Sequence, residues 1–334
     1  MKRILIVGGY GLVGSNIARL IRKNYPTVEL ILAGRNHENG EALAKELQYA
    51  ETAFINLHQE IDWSLYGKLD LIITAMEDHK NVLREIAIER GIAQITITEI
   101  AEEISPTVFL SLQKKPKAPI VFASHWQAGI ITLVTKQLAA KFIEISKVET
   151  AAVYDNLDPV GPLVAGQVDG FVAKAMIREE RRWKIVEATE NAKTITLTDG
   201  SQVVGYPMST LDVPSIAAFT NTPSVRFDFA YGTSIGTKNG NVASHDLYID
   251  IQGVLASGEK VALRSVVSGL KGGSHLTAVG VYLITEALLG TEKKSAIQQG
   301  GMYLPELLIN TNNIIDRLKE FDITISEELT ILNV

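Results

Sequence analysis

The opening fourteen residues constrain the fold of this chain more than any other segment. Arg3-Ile4-Leu5-Ile6-Val7 is an apolar run of strand length, and it stops at Gly8, where Gly9-Tyr10-Gly11-Leu12-Val13-Gly14 begins. Beyond the loop, Leu12 through Ser15-Asn16-Ile17-Ala18 continues with helical spacing. A strand that ends in a glycine loop and returns as a helix is the start of a parallel βαβ unit, since glycine permits the tight turn and the close helix–strand approach. The helix N-terminus then presents unpaired N–H groups to the loop, an arrangement suited to a pyrophosphate.

The same alternation continues to about Phe142. Strands are expected at Arg3–Val7, Glu29–Leu32, Ala53–Ile55, Leu69–Thr74, Ala93–Ile97 and Ile120–Phe122. Helices are expected around Leu12–Lys23, Asn39–Gln48, Lys80–Arg90, Pro106–Lys114 and Ile130–Phe142, each with apolar positions recurring at three and four. Six strands with crossovers make an α/β, Rossmann-type doubly wound parallel sheet. After Ile145 the runs Val148–Tyr154, Lys184–Ala188, Thr194–Leu197, Ser224–Tyr231, Leu247–Leu255 and Val261–Val267 read as a second, mixed α+β domain. Asp199-Gly200 and Ser257-Gly258 are hairpin turn pairs, so this half is expected to be largely antiparallel, interrupted by one helix at Val168–Arg182. Helical text at His275–Leu289 and Asn312–Glu320 suggests a C-terminal return. The domains are drawn at 1–145, with 270–334 packing back on it, and 146–269.

Composition narrows the function. A net charge of −6 and a pI near 5.6 give no attraction for a phosphate backbone or an anionic membrane, so the expected partner is a small molecule rather than nucleic acid. The chain has no cysteine, which removes disulfides, thiolate nucleophiles and cysteine-held metal. Met1-Lys2-Arg3 leads into only Ile4–Val7 before glycine, too short for a signal peptide, and Leu276–Leu289 is too short to span a bilayer. A cytoplasmic, non-membrane protein is expected.

The end of the second strand reads Leu32-Ala33-Gly34-Arg35-Asn36. An NAD-binding chain usually places Asp or Glu here for the ribose hydroxyls. Without an acid to repel a 2′-phosphate, and with Arg35 able to grip one, NADP is favoured over NAD. The expected cofactor residues are Gly8, Gly9, Tyr10, Gly11, Leu12, Val13 and Gly14, then Gly34, Arg35 and Asn36, then Thr74, Ala75, Met76 and Glu99 beyond later strands.

Val7 through Gly14 together with Ala33-Gly34-Arg35-Asn36 resembles the saccharopine dehydrogenase-like (saccharopine reductase) family. The likeness extends to Leu69–Thr74 with Asn81-Val82, Ile86-Ala87 and Arg90-Gly91. It resumes at Thr277-Ala278-Val279-Gly280, Leu289-Gly290 and Gly300-Gly301-Met302-Tyr303-Leu304-Pro305-Glu306. The resemblance implies a nicotinamide-binding first domain, a second domain for substrate and dimerisation, a homodimer, and hydride transfer, in several members to an imine or from a secondary amine. Two departures stand out: Gln94-Ile95-Thr96 lies where many relatives read Tyr-x-Asp, and Ala128-Gly129 where Pro-Gly is expected. The saccharopine substrate itself is therefore not carried over.

Hydride transfer needs a group that moves a proton near the reacting carbon. Thr74-Ala75-Met76, Thr98-Glu99 and Ser124-His125-Trp126 all follow strands, and among them His125 titrates nearest neutrality, making it the first acid–base candidate. Tyr154, followed by Asp155, is a second. Lys271-Gly272-Gly273-Ser274-His275 opens a helix, so Lys271 and His275 are candidates for an anionic substrate or a shared proton. Arg178-Glu179-Glu180-Arg181-Arg182 reads as a charged helix end. His37, His58, His79 and His245 have no metal-ligand spacing, and Gly-x-Ser-x-Gly is absent, so neither a metal nor hydrolase chemistry is implied. The leading expectation is an NADP-dependent oxidoreductase of a small polar metabolite. The alternatives are a non-catalytic NADP(H) sensor and a carbon–carbon double-bond reductase.

Overall fold

The computed structural model describes residues 2–99, 104–161, 174–291 and 295–332. The chain divides into two compact units, Met1–Ser124 with Thr277–Ile309, and His125–Leu276 with Asn310–Val334.

Unit 1 is built on β1 (Arg3–Val7), β2 (Glu29–Gly34), β3 (Ala50–Phe54), β4 (Leu71–Thr74), β5 (Ala93–Thr96) and β6 (Pro119–Phe122). A seventh strand, Gly301–Tyr303, pairs in parallel with β6. The order is Gly301–Tyr303, β6, β5, β4, β1, β2, β3, and every neighbouring pair runs parallel. Central strands of such a sheet are covered on both faces and read as continuous apolar runs. Ile4 through Val7, Ile72 and Ile73 are accordingly fully buried. The crossovers are α1 (Leu12–Asn24), α2 (Glu41–Leu47), α3 (Val82–Arg90) and α4 (Ile104–Lys114). The Asp78 carboxylate receives the Val82 and Leu83 N–H groups at 2.9 and 2.8 Å and so caps α3, which Gly91 closes in the left-handed region. All six expected strands are present, while the seventh, three residues long, is too short to show a period.

Unit 2 carries β7 (Phe142–Tyr154), β8 (Lys174–Glu179), β9 (Arg182–Glu187), β10 (Lys193–Thr196), β11 (Gln202–Pro207), β12 (Ser224–Tyr231), β13 (His245–Leu255) and β14 (Lys260–Gly269). With a last strand, Ile323–Ile331, they form a nine-stranded sheet running β10, β11, β12, β7, β13, β14, Ile323–Ile331, with β8 and β9 branching from β12. The pairing β7–β12 is parallel and the rest antiparallel. The turns at Gly200 and Gly258 both use positive φ, as hairpin turns of this hand require. α5 (Ile130–Ala139) and α6 (Asp212–Thr220) pack on each other.

Two expectations are corrected here. The helix at Val168–Arg182 is not present where the residues are described: 174–182 form β8, a turn and the start of β9, while 168–173 lie outside the described residues. Glu180 and Arg181 take φ of 49° and 65°, the pair of left-handed residues of a two-residue hairpin turn. The charged run is therefore a hairpin tip, and its charges pair across the strands, with Arg178 over the Trp183 ring at 5.5 Å and Glu179 bonded to Lys184. The C-terminal return also differs from the expected 270–334. Thr277–Ile309 belongs to unit 1, whereas Ile323–Ile331 pairs with β14, and the Ile315 N–H bonds the Gln137 side chain of α5 at 2.9 Å. No helix among the described residues is long and apolar enough to cross a membrane.

Candidate functional site

β1 lies between β2 and β4, where the sheet order reverses. Its C-terminal end is therefore the switch point at which ligands of open α/β sheets bind. The loop there is held on both sides: the Gly8 N–H donates to Ala33 O at 2.8 Å and the Ala75 N–H to Val7 O at 2.9 Å. A Cβ on Gly14 would stand 2.1 Å from Gly8 O, so Gly14 is demanded by the close approach of helix and loop. Gly11 differs, because its Cβ would meet only Gly8 O, at 3.2 Å, and its φ of −71° suits any residue. The protein itself gives little reason for glycine there, and an approaching ligand gives one. α1 has no side-chain cap and no acid in its first turn, so its N-terminal donors face the loop without a competing anion. These residues fit a dinucleotide pyrophosphate.

At the end of β2, Tyr10 reaches over Gly34, and its hydroxyl accepts the Asn36 N–H at 3.0 Å. Arg35 is exposed and makes no hydrogen bond or ion pair among the described residues.

Beyond β4 and β5 lies a polar cluster of which the sequence reading named Thr74, Met76, Thr98, Glu99 and Ser124 but not Asp78 or Arg84. Arg84, 1% exposed, forms an ion pair with Glu99, donates to Thr96 Oγ1 at 3.1 Å and to Asn81 Oδ1 at 3.2 Å, and lies 4.7 Å over the Phe122 ring. Glu99 is tied back by its N–H to Ser124 Oγ at 3.0 Å, Thr98 donates to Met76 O at 2.7 Å, and Gln94 donates to Thr74 Oγ1 at 3.2 Å. A cavity of about 10 Å³ sits among Asp78, Arg84, Gln94, Thr96 and Glu99, room for one water. Burial raises the Asp78 carboxyl above the usual range, against the pull of the α3 N–H groups and Arg84. Arg84 thus meets a hydroxyl at Thr96, where the resemblance expects an acid, and a carboxylate at Glu99. Arg84 was legible in principle, standing on the helix face of Ala87 and Ile88 where an apolar residue is expected.

Unit 2 gathers a second network. His125 is buried, its Nε2 2.8 Å from Ser215 Oγ. The next residues turn left-handed: Gln127 and Ala128 have φ of 53° and 51°, ahead of Gly129 at 96°. Proline, locked near about −65°, could not stand at 128 in this backbone, which is the physical content of the departure to Ala128-Gly129. The loop brings the Trp126 indole N–H to His245 Nε2 at 3.0 Å. An indole only donates, so the His245 ring proton belongs on Nδ1, which faces Asp158 Oδ2 at 3.4 Å. Asp158 also receives the Gly273 N–H at 2.8 Å, and its carbonyl receives the Tyr154 hydroxyl at 3.1 Å. Burial, then the Asp158 charge, raises the Tyr154 phenol. Gly272, at φ +80°, has no room for a Cβ, which would meet Asp158 Oδ1 at 2.3 Å.

Asp158 and His245 therefore join Tyr154 to the 271–275 turn, and Trp126 links them to His125. Lys271 and His275 turn elsewhere: Lys271 pairs with Asp322 at 2.7 Å on the surface, and His275 bonds Phe321 O at 3.1 Å. No pattern in the sequence marks Asp158 or His245, because their partners are 115 and 119 residues away. Asp212 completes the base of the network, accepting the Trp126 N–H and the Thr132 hydroxyl at 2.7 Å each. Its burial pushes the carboxyl up to about 6. No group of three potential metal ligands occurs among the described residues.

No protein-family model matches the chain, and no curated protein matches its sequence. Solved structures do match. The chain is similar to apo saccharopine dehydrogenase (L-Glu forming) from Saccharomyces cerevisiae over 99% of its own length and 100% of that chain, with a TM-score of 0.66 and 14% identity. It is also similar to a multiply substituted meso-dapdh from Clostridium tetani E88, with DAP, over 96% and 99% of the two chains, at TM-score 0.50 and 13% identity. At such identities the likeness is one of fold alone: this chain shares the fold of these two solved structures.

Proposed function

We propose that unit 1 binds NADP in preference to NAD and that the protein is an oxidoreductase of a small polar metabolite, the first substrate class to test being an imine or secondary amine of an amino acid. The observation that carries the reading is the glycine loop with its uncapped helix, beside a β2 end that lacks an acid and leaves Arg35 unpaired among the described residues. In this reading the N-terminal N–H groups of α1 take the pyrophosphate and Arg35 takes the 2′-phosphate. Thr74, Ala75, Met76 and Glu99, at or just beyond the ends of β4 and β5, would hold the nicotinamide end in the same reading. Once bound, the nicotinamide supplies or accepts the hydride. The proton is assigned to His125, whose ring Ser215 holds in place, with Tyr154 as the second candidate.

Steady NADPH oxidation in the presence of amine and 2-oxo acid pairs is the test of the reaction class. Binding without turnover across such a panel supports the sensor alternative instead. With a working substrate, His125→Asn is expected to lower turnover by about 10²–10⁴-fold with little change in NADPH affinity, and to remove one limb of the pH–rate profile. Wild-type turnover and an unaltered profile would move the proton to Tyr154.

A further inference from the structure

We propose that Tyr10 sets which dinucleotide unit 1 accepts, an inference that rests on the NADP reading above and deepens it. The ring is held between two glycines. A Cβ on Gly34 would lie 2.3 Å from the Tyr10 hydroxyl oxygen and 2.8 Å from Cζ, and a Cβ on Gly40 would lie 2.8 Å from Cδ1. Gly34 does not adopt positive φ, so its backbone would tolerate a side chain, and the space under the phenol is what excludes one. Position 34 closes the strand on which a ribose-binding acid would ordinarily stand. An acid there would require the Tyr10 ring to shift.

The hydroxyl does more than fill space. It accepts the Asn36 N–H at 3.0 Å, which uses an oxygen lone pair and leaves its own proton with no acceptor among the described residues. Tyr10 is partly exposed, so that proton is open to a ligand. The bond to Asn36 also pins the backbone on the far side of Arg35. A neutral donor bonded to the residue after the unpaired Arg35 suits a phosphate and offers a 2′-hydroxyl much less. Tyr10 thereby acts twice, excluding the acid that would favour NAD and helping Arg35 hold the phosphate that marks NADP.

The experiment is a set of calorimetric titrations of the full chain with NADPH and with NADH, comparing wild type, Tyr10→Phe, Gly34→Asp and the double variant Tyr10→Ala/Gly34→Asp. Tyr10→Phe is expected to weaken NADPH by about tenfold and leave NADH within about twofold, as loss of a hydrogen bond to a charged group implies. Gly34→Asp alone is expected to weaken both nucleotides, and the double variant to recover NADH binding but not NADPH binding. If Gly34→Asp alone gains NADH and loses NADPH as fully as the double variant, Tyr10 is not the gate and the proposal fails while the NADP reading stands. Wild type that binds neither nucleotide removes that reading and this proposal together. Where Gly34→Asp does not fold, Gly34→Ala carries the comparison: its Tm is expected to drop and to be regained in Tyr10→Ala/Gly34→Ala, and an unchanged Tm in the single variant overturns the steric argument.

Discussion

At position 212 the fold holds a carboxyl fully out of water, bonded to Thr132 and the Trp126 N–H. A rise from 3.8 to about 6 means that the folded state binds the proton more tightly than the unfolded chain. Stability from this group is therefore complete below about pH 4 and is lost as pH rises through about 6, by about 3 kcal/mol at most. Asp212→Asn, which keeps an acceptor for Trp126, is expected to abolish that loss. Urea unfolding of both proteins from pH 4 to pH 7 checks it, and parallel pH profiles would contradict it. Arg84 poses the opposite case, a buried cation matched to Glu99. Arg84→Met strands the carboxylate and is expected to cost about 3–5 kcal/mol, whereas Arg84→Met/Glu99→Leu should recover most of it. Urea midpoints that fall equally in both variants would show that lost packing, not the stranded charge, sets the cost. At this scale the sequence is informative where a residue's setting follows from its neighbours in the chain, as at Asp199-Gly200 and Ser257-Gly258, where both glycines take the positive φ of a hairpin turn. It was silent where the role is made by distant partners, as at Asp158 and His245.

Among the elements, the glycine loop was legible because strand, loop and helix are contiguous and Gly8, Gly9 and Gly14 each answer a close local contact. Gly11 is the informative member, since a Cβ there would meet a single atom, Gly8 O at 3.2 Å, and its φ of −71° suits any residue. Gly11→Val is accordingly expected to abolish NADPH binding while the far-UV circular dichroism and the melting transition stay near those of wild type. Retained affinity would reduce the loop to a turn. Residues 174–182, which form β8, the turn and the start of β9, are expected as part of a helix because a charged run fits either period over a few residues, whereas most of β9 is expected as the strand Lys184–Ala188. Arg178, Glu179, Trp183 and Lys184 earn their positions only as cross-strand pairs, which a one-dimensional pattern does not display. The strands Gly301–Tyr303 and Ile323–Ile331 were missed for a related reason, each being specified by the edge it joins.

For the molecule as a whole, the doubly wound first sheet and the mixed second one were both readable, but the boundary between them was not. α5 continues the strand–helix alternation of unit 1 in the sequence, yet it packs on α6, β7 and β13, and the division falls before it, at Ser124 and His125. The net charge of −6 gives the chain no general attraction for phosphates, so in the proposed reading the anionic dinucleotide is held locally, at α1 and Arg35. Calorimetric titration of the full-length protein with NADPH and NADH at one fixed salt concentration measures this directly. The expected result is tighter binding of NADPH by at least about tenfold, or 1.4 kcal/mol, with Arg35→Ala erasing the difference and leaving NADH affinity unchanged. Equal affinities in the wild-type protein, or no binding of either nucleotide, would contradict the account.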